Sequence, residues 1–201
     1  MAKAFLSGNE AFAYGVRLAR PQVISAYPIT PQTIVVEKLS EFVEDGSLNA
    51  EFIHVESEHS ALSCAIGASS VGARAFTATS SQGLLYMAEC LPYAAGGRFP
   101  IVMMNANRST ALPWNIYGDQ RDSLSQLDSG WIQAYAENAQ EALACTIRIR
   151  ISFSYLTHHS IVILKRIIPQ VAVSITMEFP SSERSAASIG KIYYHESSIR
   201  Q

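Results

Sequence analysis

The sequence predicts an α/β protein: a three-layer α/β/α sandwich in which helices cover both faces of a parallel sheet. Helix-like and strand-like segments alternate over residues 1 to about 144, with turn residues between them, as repeated strand-helix-strand units require. The strand-like pieces are short, and the helix-like pieces between them are long enough to cross back over a sheet. Hydrophobic residues make up 48% of the 201-residue chain and charged residues 16%, an ordinary balance for a chain that buries a core.

Each element has a local reason. Asn9–Ala19 reads as a helix with Phe12, Val16 and Ala19 on one face, and Pro21 stops it. Val23–Tyr27 is the first strand. A second helix is expected to begin at Pro31 with Thr30 as its cap, and to run through Ile34, Val35, Leu39 and Phe42 to Gly46. Phe52–Val55 is the next strand. Ser57 to about Val71 is rich in Ala, Gly and Ser, a composition that lets a helix approach neighbouring backbone closely. Strands at Ala75–Thr79 and Ile101–Asn105 bracket one helix from Gln82 to about Ala95. Trp131–Tyr135 and Asn138–Leu143 read as a further strand and helix.

Composition narrows the function classes. Through Ala144 there are 8 Lys and Arg against 14 Asp and Glu, a balance of −6; from Cys145 onward there are 7 against 3, a balance of +4. No basic stripe marks the first part, which argues against a nucleic-acid partner. No run reaches the roughly 18 to 20 apolar residues of a membrane span. The N-terminus lacks a signal-type apolar stretch, so the expected location is cytoplasmic. Cys64, Cys90 and Cys145 are widely spaced and form no C-x-x-C pair, so each is expected to be a buried, inert thiol and no metal site is expected. Gly67–Gly72 has the glycine spacing of a phosphate loop, but Ala73-Arg74 stands where Lys-Ser/Thr is needed, leaving a helix end and a turn.

The chemistry-bearing residues gather at strand ends. Ala26-Tyr27-Pro28-Ile29-Thr30-Pro31 follows the first strand, where two prolines stiffen the exit from the sheet. Val55-Glu56-Ser57-Glu58 ends the second strand and brings two carboxyl groups into a helix's first turn. Thr77-Ala78-Thr79-Ser80-Ser81-Gln82-Gly83-Leu84 ends the third. Met104-Asn105-Ala106-Asn107-Arg108-Ser109 ends the fourth with a cation, followed by the loop Trp114 to Asp122. Taken singly, each also suits an ordinary turn or cap. Together they line one edge of a parallel sheet, where ligands of such folds bind.

These runs, with Gly118-Asp119-Gln120-Arg121-Asp122-Ser123 and Asp128-Ser129-Gly130-Trp131-Ile132-Gln133, resemble in order the alpha subunit of pyruvate:ferredoxin oxidoreductases (pyruvate synthases), in its N-terminal pyrimidine-binding domain. The resemblance implies a thiamine-diphosphate-binding fold whose cofactor is shared with a partner subunit. It implies that Glu58 hydrogen-bonds the pyrimidine ring nitrogen, where sharing a proton favours the reactive tautomer. Thr30 then meets the substrate with its hydroxyl, and Arg108 pairs with the substrate carboxylate. Pro28, Ile29, Thr30, Ser81 and Gln82 join Glu58 around the cofactor. Pyruvate would be decarboxylated oxidatively to acetyl-CoA and carbon dioxide, with coenzyme A as acyl acceptor and ferredoxin as electron acceptor. Mg²⁺ and the iron-sulfur clusters would lie on partner chains of the complex, because no G-D-G…N pattern and no cluster-type cysteine spacing occurs here.

The resemblance covers residues 1–144, read as the pyrimidine-binding domain and as incomplete at its end. Residues 145–201 match nothing recognised. Arg148–Tyr155 and Ile161–Ile168 favour strands, Pro180–Ser188 reads as a polar linker, and a shift of reading frame near codon 144 would explain the change. On that reading the sheet would lose its last elements and expose an edge. A catalytic subunit, a noncatalytic interaction module and an inactive truncated product stay open, as does a branched-chain 2-oxoacid in place of pyruvate.

Overall fold

A computed structural model of the chain describes residues 2–153, 160–164 and 173–177, with side chains from residue 4 to residue 146. In chain order the elements are β1 (Ala2–Leu6), α1 (Gly8–Ala19), β2 (Val23–Ala26), α2 (Thr33–Glu44), β3 (Glu51–His54), α3 (Glu58–Ser70), β4 (Ala75–Thr79), α4 (Gln82–Tyr86), α5 (Cys90–Gly97), β5 (Ile101–Ala106), α6 (Arg121–Leu124), β6 (Ile132–Ala136), α7 (Ala139–Phe153), β7 (Ser160–Leu164) and β8 (Val173–Met177). Six strands form one sheet in the order β3-β2-β4-β5-β7-β6, parallel throughout, and β1 pairs antiparallel with β8.

Alternation along the central strands builds the three layers. Phe76 and Ala78 of β4 and Met104 and Ala106 of β5 pack with Phe12 and Val16 of α1 and Val35, Leu39 and Phe42 of α2. Ala75 of β4 and Ile101 and Met103 of β5 face the other way, onto Leu62 and Ala65 of α3, Leu84 of α4 and Leu91 of α5. Trp131 closes this second layer, its indole Nε1 donating to the Leu91 carbonyl at 2.8 Å.

Local chemistry sets most ends. Ser7 and Glu10 form a reciprocal capping box on α1, with Ser7 N donating to Glu10 Oε2 at 2.7 Å and Glu10 N to Ser7 Oγ at 3.3 Å. Ser57 caps α3 by accepting from Ser60 N at 3.1 Å. The phosphate-loop look-alike is the end of α3 and a turn at Gly72, whose φ of 89° suits glycine.

Several expectations need correcting. α2 starts at Thr33 rather than Pro31, and Thr30 does not cap it. Residues 29–32 form their own turn, with Gln32 N donating to Ile29 O at 2.8 Å. The Gln32 side chain is drawn into the sheet instead, its Nε2 donating to Ala78 O at 2.8 Å, so a tertiary bond wins over a capping one. The single helix expected over Gln82–Ala95 is two helices. Pro92 has no N–H for the Ala88 carbonyl, and the break carries i→i−3 bonds, Cys90 N to Met87 O at 2.9 Å and Leu91 N to Ala88 O at 3.2 Å.

The largest difference lies after Ala144. Arg148–Phe153, read as strand-favouring, is helical: α7 runs unbroken from Ala139 to Phe153. Its packing against α1 explains why intrinsic preference loses. Gly15 leaves a gap that α7 fills, so close that a Cβ there would lie 2.9 Å from Thr146 Cβ and 3.1 Å from Leu143 O. Beyond Ala144 the sheet continues in β7, which is seated between β5 and β6. Tyr155, 165–168 and the 180–188 segment lie outside the described residues. Cys90 is buried as expected, whereas Cys64 and Cys145 are partly exposed. Among the described residues no helix is long and apolar enough to cross a membrane.

Candidate functional site

The strand order creates the crevice. From β2 the chain crosses to β3 on one side, then returns through α3 to β4 on the other, so connections leave β2 and β4 in opposite directions. Ligands of open α/β sheets bind at such a reversal, outside the carboxyl ends of the strands. Pro28, Ile29 and Thr30 leave β2 there, Glu58 opens α3, Ser81 and Gln82 leave β4, and Arg108 leaves β5. All the predicted site residues are thus carried to one edge of the sheet.

Arg108 bridges the crevice. Its Nη1 donates to the Thr30 carbonyl at 2.7 Å and its Nη2 to Gln82 Oε1 at 3.2 Å. The side chain is only 8% exposed, and its buried Nε has no hydrogen-bond partner among the described residues. Both acceptors are neutral, and no carboxylate of the described residues lies within ion-pair distance. A guanidinium so placed keeps its full charge for an anion.

Glu58 is the complementary group. Glu56, the other acid of its run, is exposed, whereas Glu58 is 8% exposed at the first position of α3. Its carboxyl group has no hydrogen bond or ion pair among the described residues. Gly83 makes its location possible: a Cβ there would fall 2.4 Å from Thr79 Oγ1 and 2.8 Å from both Glu58 Cγ and Glu58 Oε1. A glycine at the start of α4 therefore leaves the space that the Glu58 side chain uses.

The other predicted residues divide. Thr30 and Pro28 are exposed and Ile29 is half-buried, and the Thr30 hydroxyl has no partner among the described residues. Ser81 is brought to the crevice by its backbone only. Its side chain is fully buried, with the hydroxyl 2.6 Å from both Ser109 O and Gln82 Oε1. Its backbone, at φ 49° and ψ −122°, occupies a region that residues with a Cβ rarely adopt.

Sequence reasoning missed Asp122 and Gln32. Asp122, on α6, is fully buried and accepts from Ser81 N at 3.1 Å, Asn105 Nδ2 at 3.0 Å, Asn107 Nδ2 at 2.7 Å, Ser123 N at 2.8 Å and Arg108 N at 3.3 Å. Its cues in the sequence were its places at the end of the Trp114–Asp122 loop and within Gly118–Ser123, and neither marked it as a buried anchor. Gln32 offered none, since a glutamine beside a helix start reads as surface. Among the described residues no three His, Cys, Asp or Glu side chains gather as a metal site.

Comparison with known proteins follows the same lines. A family described as pyruvate flavodoxin/ferredoxin oxidoreductase, thiamine diphosphate-binding, matches residues 14–177. Pyruvate synthase subunit PorA of Pyrococcus horikoshii is 60% identical over 141 residues, covering 70% of this chain and 36% of the relative. Ketoisovalerate oxidoreductase subunit VorA of the same organism is 58% identical over 139 residues, covering 69% of this chain and 35% of the relative. The chain thus spans about 35% of the length of the curated relatives it matches. Among solved structures, a 2-oxoglutarate:ferredoxin oxidoreductase from Magnetococcus marinus aligns with a TM-score of 0.71 at 23% identity, over 81% of this chain and 29% of that one. That likeness speaks to fold, and it agrees with the three-layer architecture and parallel sheet. The family match runs past Ala144, through α7 and β7 to the end of β8. By that match, and by its identity to the two named subunits, the chain belongs to the pyruvate flavodoxin/ferredoxin oxidoreductase family, in its thiamine-diphosphate-binding domain.

Proposed function

We propose that this chain forms the pyrimidine side of a thiamine-diphosphate site in a 2-oxoacid:ferredoxin oxidoreductase, with pyruvate as the substrate, coenzyme A as acyl acceptor and ferredoxin as electron acceptor. One observation carries the reading: the crevice holds two nearly buried, oppositely charged groups, Glu58 and Arg108, and neither has an ion-pair partner among the described residues. Burying such groups is costly unless something pairs with them. A ligand with a basic ring nitrogen and another with a carboxylate would supply both partners.

The residues fit the cofactor. Glu58 has an orphaned carboxyl group in a space that a Cβ at Gly83 would fill, which suits a planar nitrogen heterocycle with a hydrogen-bonding edge. When bound, thiamine diphosphate supplies a carbon nucleophile for the 2-oxo carbon and an electron sink for the departing carboxylate. Glu58 shares a proton with the pyrimidine ring and so governs its tautomer. Arg108 orients the substrate carboxylate, and its bond to the Thr30 carbonyl ties the backbone of the Thr30 turn to the guanidinium. Pro28 and Ile29 stiffen that wall, and Gln82 holds the second arm of the guanidinium. The diphosphate, Mg²⁺ and iron-sulfur clusters are assigned to partner subunits of a cytoplasmic complex.

The near-equal identities to PorA and VorA support a second reading, a branched-chain 2-oxoacid at the same site. Co-purification with the other subunits, followed by dye reduction with pyruvate and with ketoisovalerate, separates these readings. In that complex Glu58→Gln should lower turnover by about 100-fold or more with assembly intact. Unchanged turnover would remove Glu58 from the chemistry. A complex without any activity would favour a noncatalytic module, and insoluble chain an inactive product.

A further inference from the structure

Asp122 is the most heavily bonded side chain of the crevice. Its Oδ2 accepts from Ser81 N at 3.1 Å, Asn105 Nδ2 at 3.0 Å and Arg108 N at 3.3 Å; its Oδ1 accepts from Asn107 Nδ2 at 2.7 Å and Ser123 N at 2.8 Å. Five donors converge on one fully buried carboxylate, and no cation of the described residues neutralises it. A carboxylate suits this place because it only accepts; its two oxygens offer about four lone-pair sites, so the three donors on Oδ2 share them and Arg108 N makes the longest contact.

The donors it selects matter most. The Ser81 amide belongs to the residue held at φ 49° and ψ −122°, a conformation that persists only where its surroundings over-determine it. That turn aims Gln82, whose Oε1 accepts from Arg108 Nη2 at 3.2 Å. The Arg108 amide fixes the other end of the same contact. Asp122 therefore anchors the backbone beneath both members of the Gln82–Arg108 pair, which in turn sets the reach of Nη1 to Thr30 O at 2.7 Å.

We propose that Asp122 is a positioning residue for substrate binding, which acts through Arg108 by locking the Ser81 turn and the Arg108 backbone so that the guanidinium meets the 2-oxoacid carboxylate in one orientation. The proposal rests on the site reading given above. Asp122→Asn is the direct perturbation: it keeps the shape but turns two N–H hydrogens toward groups that are themselves donors.

The test uses the assembled complex and two readouts. In native-state hydrogen exchange the Ser81 and Arg108 amides should be protected in the parent and lose protection in Asp122→Asn, while the β4 and β5 amides keep theirs. In steady-state kinetics with pyruvate, Asp122→Asn should raise KM by about tenfold or more and change kcat by less than about threefold. Made on an Arg108→Ala background, the same substitution should change KM by less than about twofold, because the group it positions is gone. An equal KM factor on both backgrounds overturns the proposal and leaves a general structural anchor. Unchanged protection of the two amides overturns it as well. A parent complex that turns over neither pyruvate nor ketoisovalerate overturns the site reading instead, and the exchange arm then decides the anchoring by itself. Should Asp122→Asn fail to fold, Asn107→Ala removes one of the two donors on Oδ1 while keeping the carboxylate. It should shift KM by about threefold and show the same dependence on Arg108.

Discussion

Replacing Gly83 with alanine sets two effects of opposite sign against each other. Gly83 is the second residue of α4 and has an ordinary helical backbone, so alanine alone would favour the helix by up to about 1 kcal/mol. The added Cβ, however, would lie 2.4 Å from Thr79 Oγ1 and 2.8 Å from Glu58 Cγ and Oε1, distances that real Cβ atoms do not tolerate. Thr79 is fully buried and β-branched, so it has no free rotamer to retreat into. Overpacking of this kind costs about 1–3 kcal/mol, which outweighs the propensity gain. The expected net loss is about 1 kcal/mol, or a fall in Tm of about 2–4 °C for a chain of this size. Glu58 is the more mobile neighbour, so part of the relief moves its carboxyl group away from the position proposed above for contact with the cofactor. Loss of one charge-assisted hydrogen bond, about 1.5–3 kcal/mol, weakens thiamine-diphosphate binding by about 10- to 150-fold. Melting scans and calorimetric titration of the assembled complex measure both quantities. A higher Tm with unchanged cofactor affinity would show that the crevice floor has room and that Glu58 is not held there.

Three further outcomes follow from the same structure. Arg108→Ala should raise the pyruvate KM by about 10- to 150-fold, the worth of a charge-assisted pair, while a lost kcat at unchanged KM would argue for a role in the chemical step. Gly15→Ala should lower Tm, although alanine is the better helix former, because the α7 backbone and Thr146 occupy the space; a rise in Tm would mean that α7 does not pack there past Ala144. Asp119 is held below the usual carboxylate value, first by the Arg121 backbone N–H, with burial opposing and the Arg121 side chain adding to the depression. A depressed value means stability present above the unfolded value of 3.8 and lost as pH falls through the folded one, so the stability gap between the parent and Asp119→Asn should be flat above about pH 3.8 and shrink below it.

The parallel sheet was legible because its cause is local: β4 and β5 alternate between two apolar layers, and the turns between elements are marked by Pro, Gly and Ser. The strand ends were legible too, since Thr30, Glu58 and Arg108 stand in short polar runs after apolar ones. What depended on distant partners was not. Gln32 stands at the N-cap of α2 in place of the expected Thr30, yet its side chain makes no cap bond and its amide donates to the carbonyl of Ala78, far along the chain. Arg148–Phe153 is helical despite its strand-favouring residues because the preceding turn of α7 is already packed on Gly15. The shift in charge balance at Ala144 was a true feature of composition, yet helix continuity depends on what lies opposite, and composition carries no information about that.

The three charged side chains of the crevice differ in how completely the protein satisfies them, and that difference sorts their roles. Asp122 has five donors and nothing left to offer a ligand, so its charge is spent inside the protein. Arg108 has two neutral acceptors and an orphaned Nε: it is held in place but keeps its charge. Glu58 has no partner at all among the described residues, and only the missing side chain of Gly83 gives it room. A fold stabilised solely for its own sake would not keep the last two in this state, since a buried charge without a counterpart costs more than an apolar residue of similar volume. The same cost becomes useful when a ligand brings the missing partners, because groups fixed beforehand lose little freedom on binding. Saturated anchor, restrained cation and open acid thus divide the work of the crevice, and on the proposal above the side chain with the most bonds sets how well the restrained cation meets what enters.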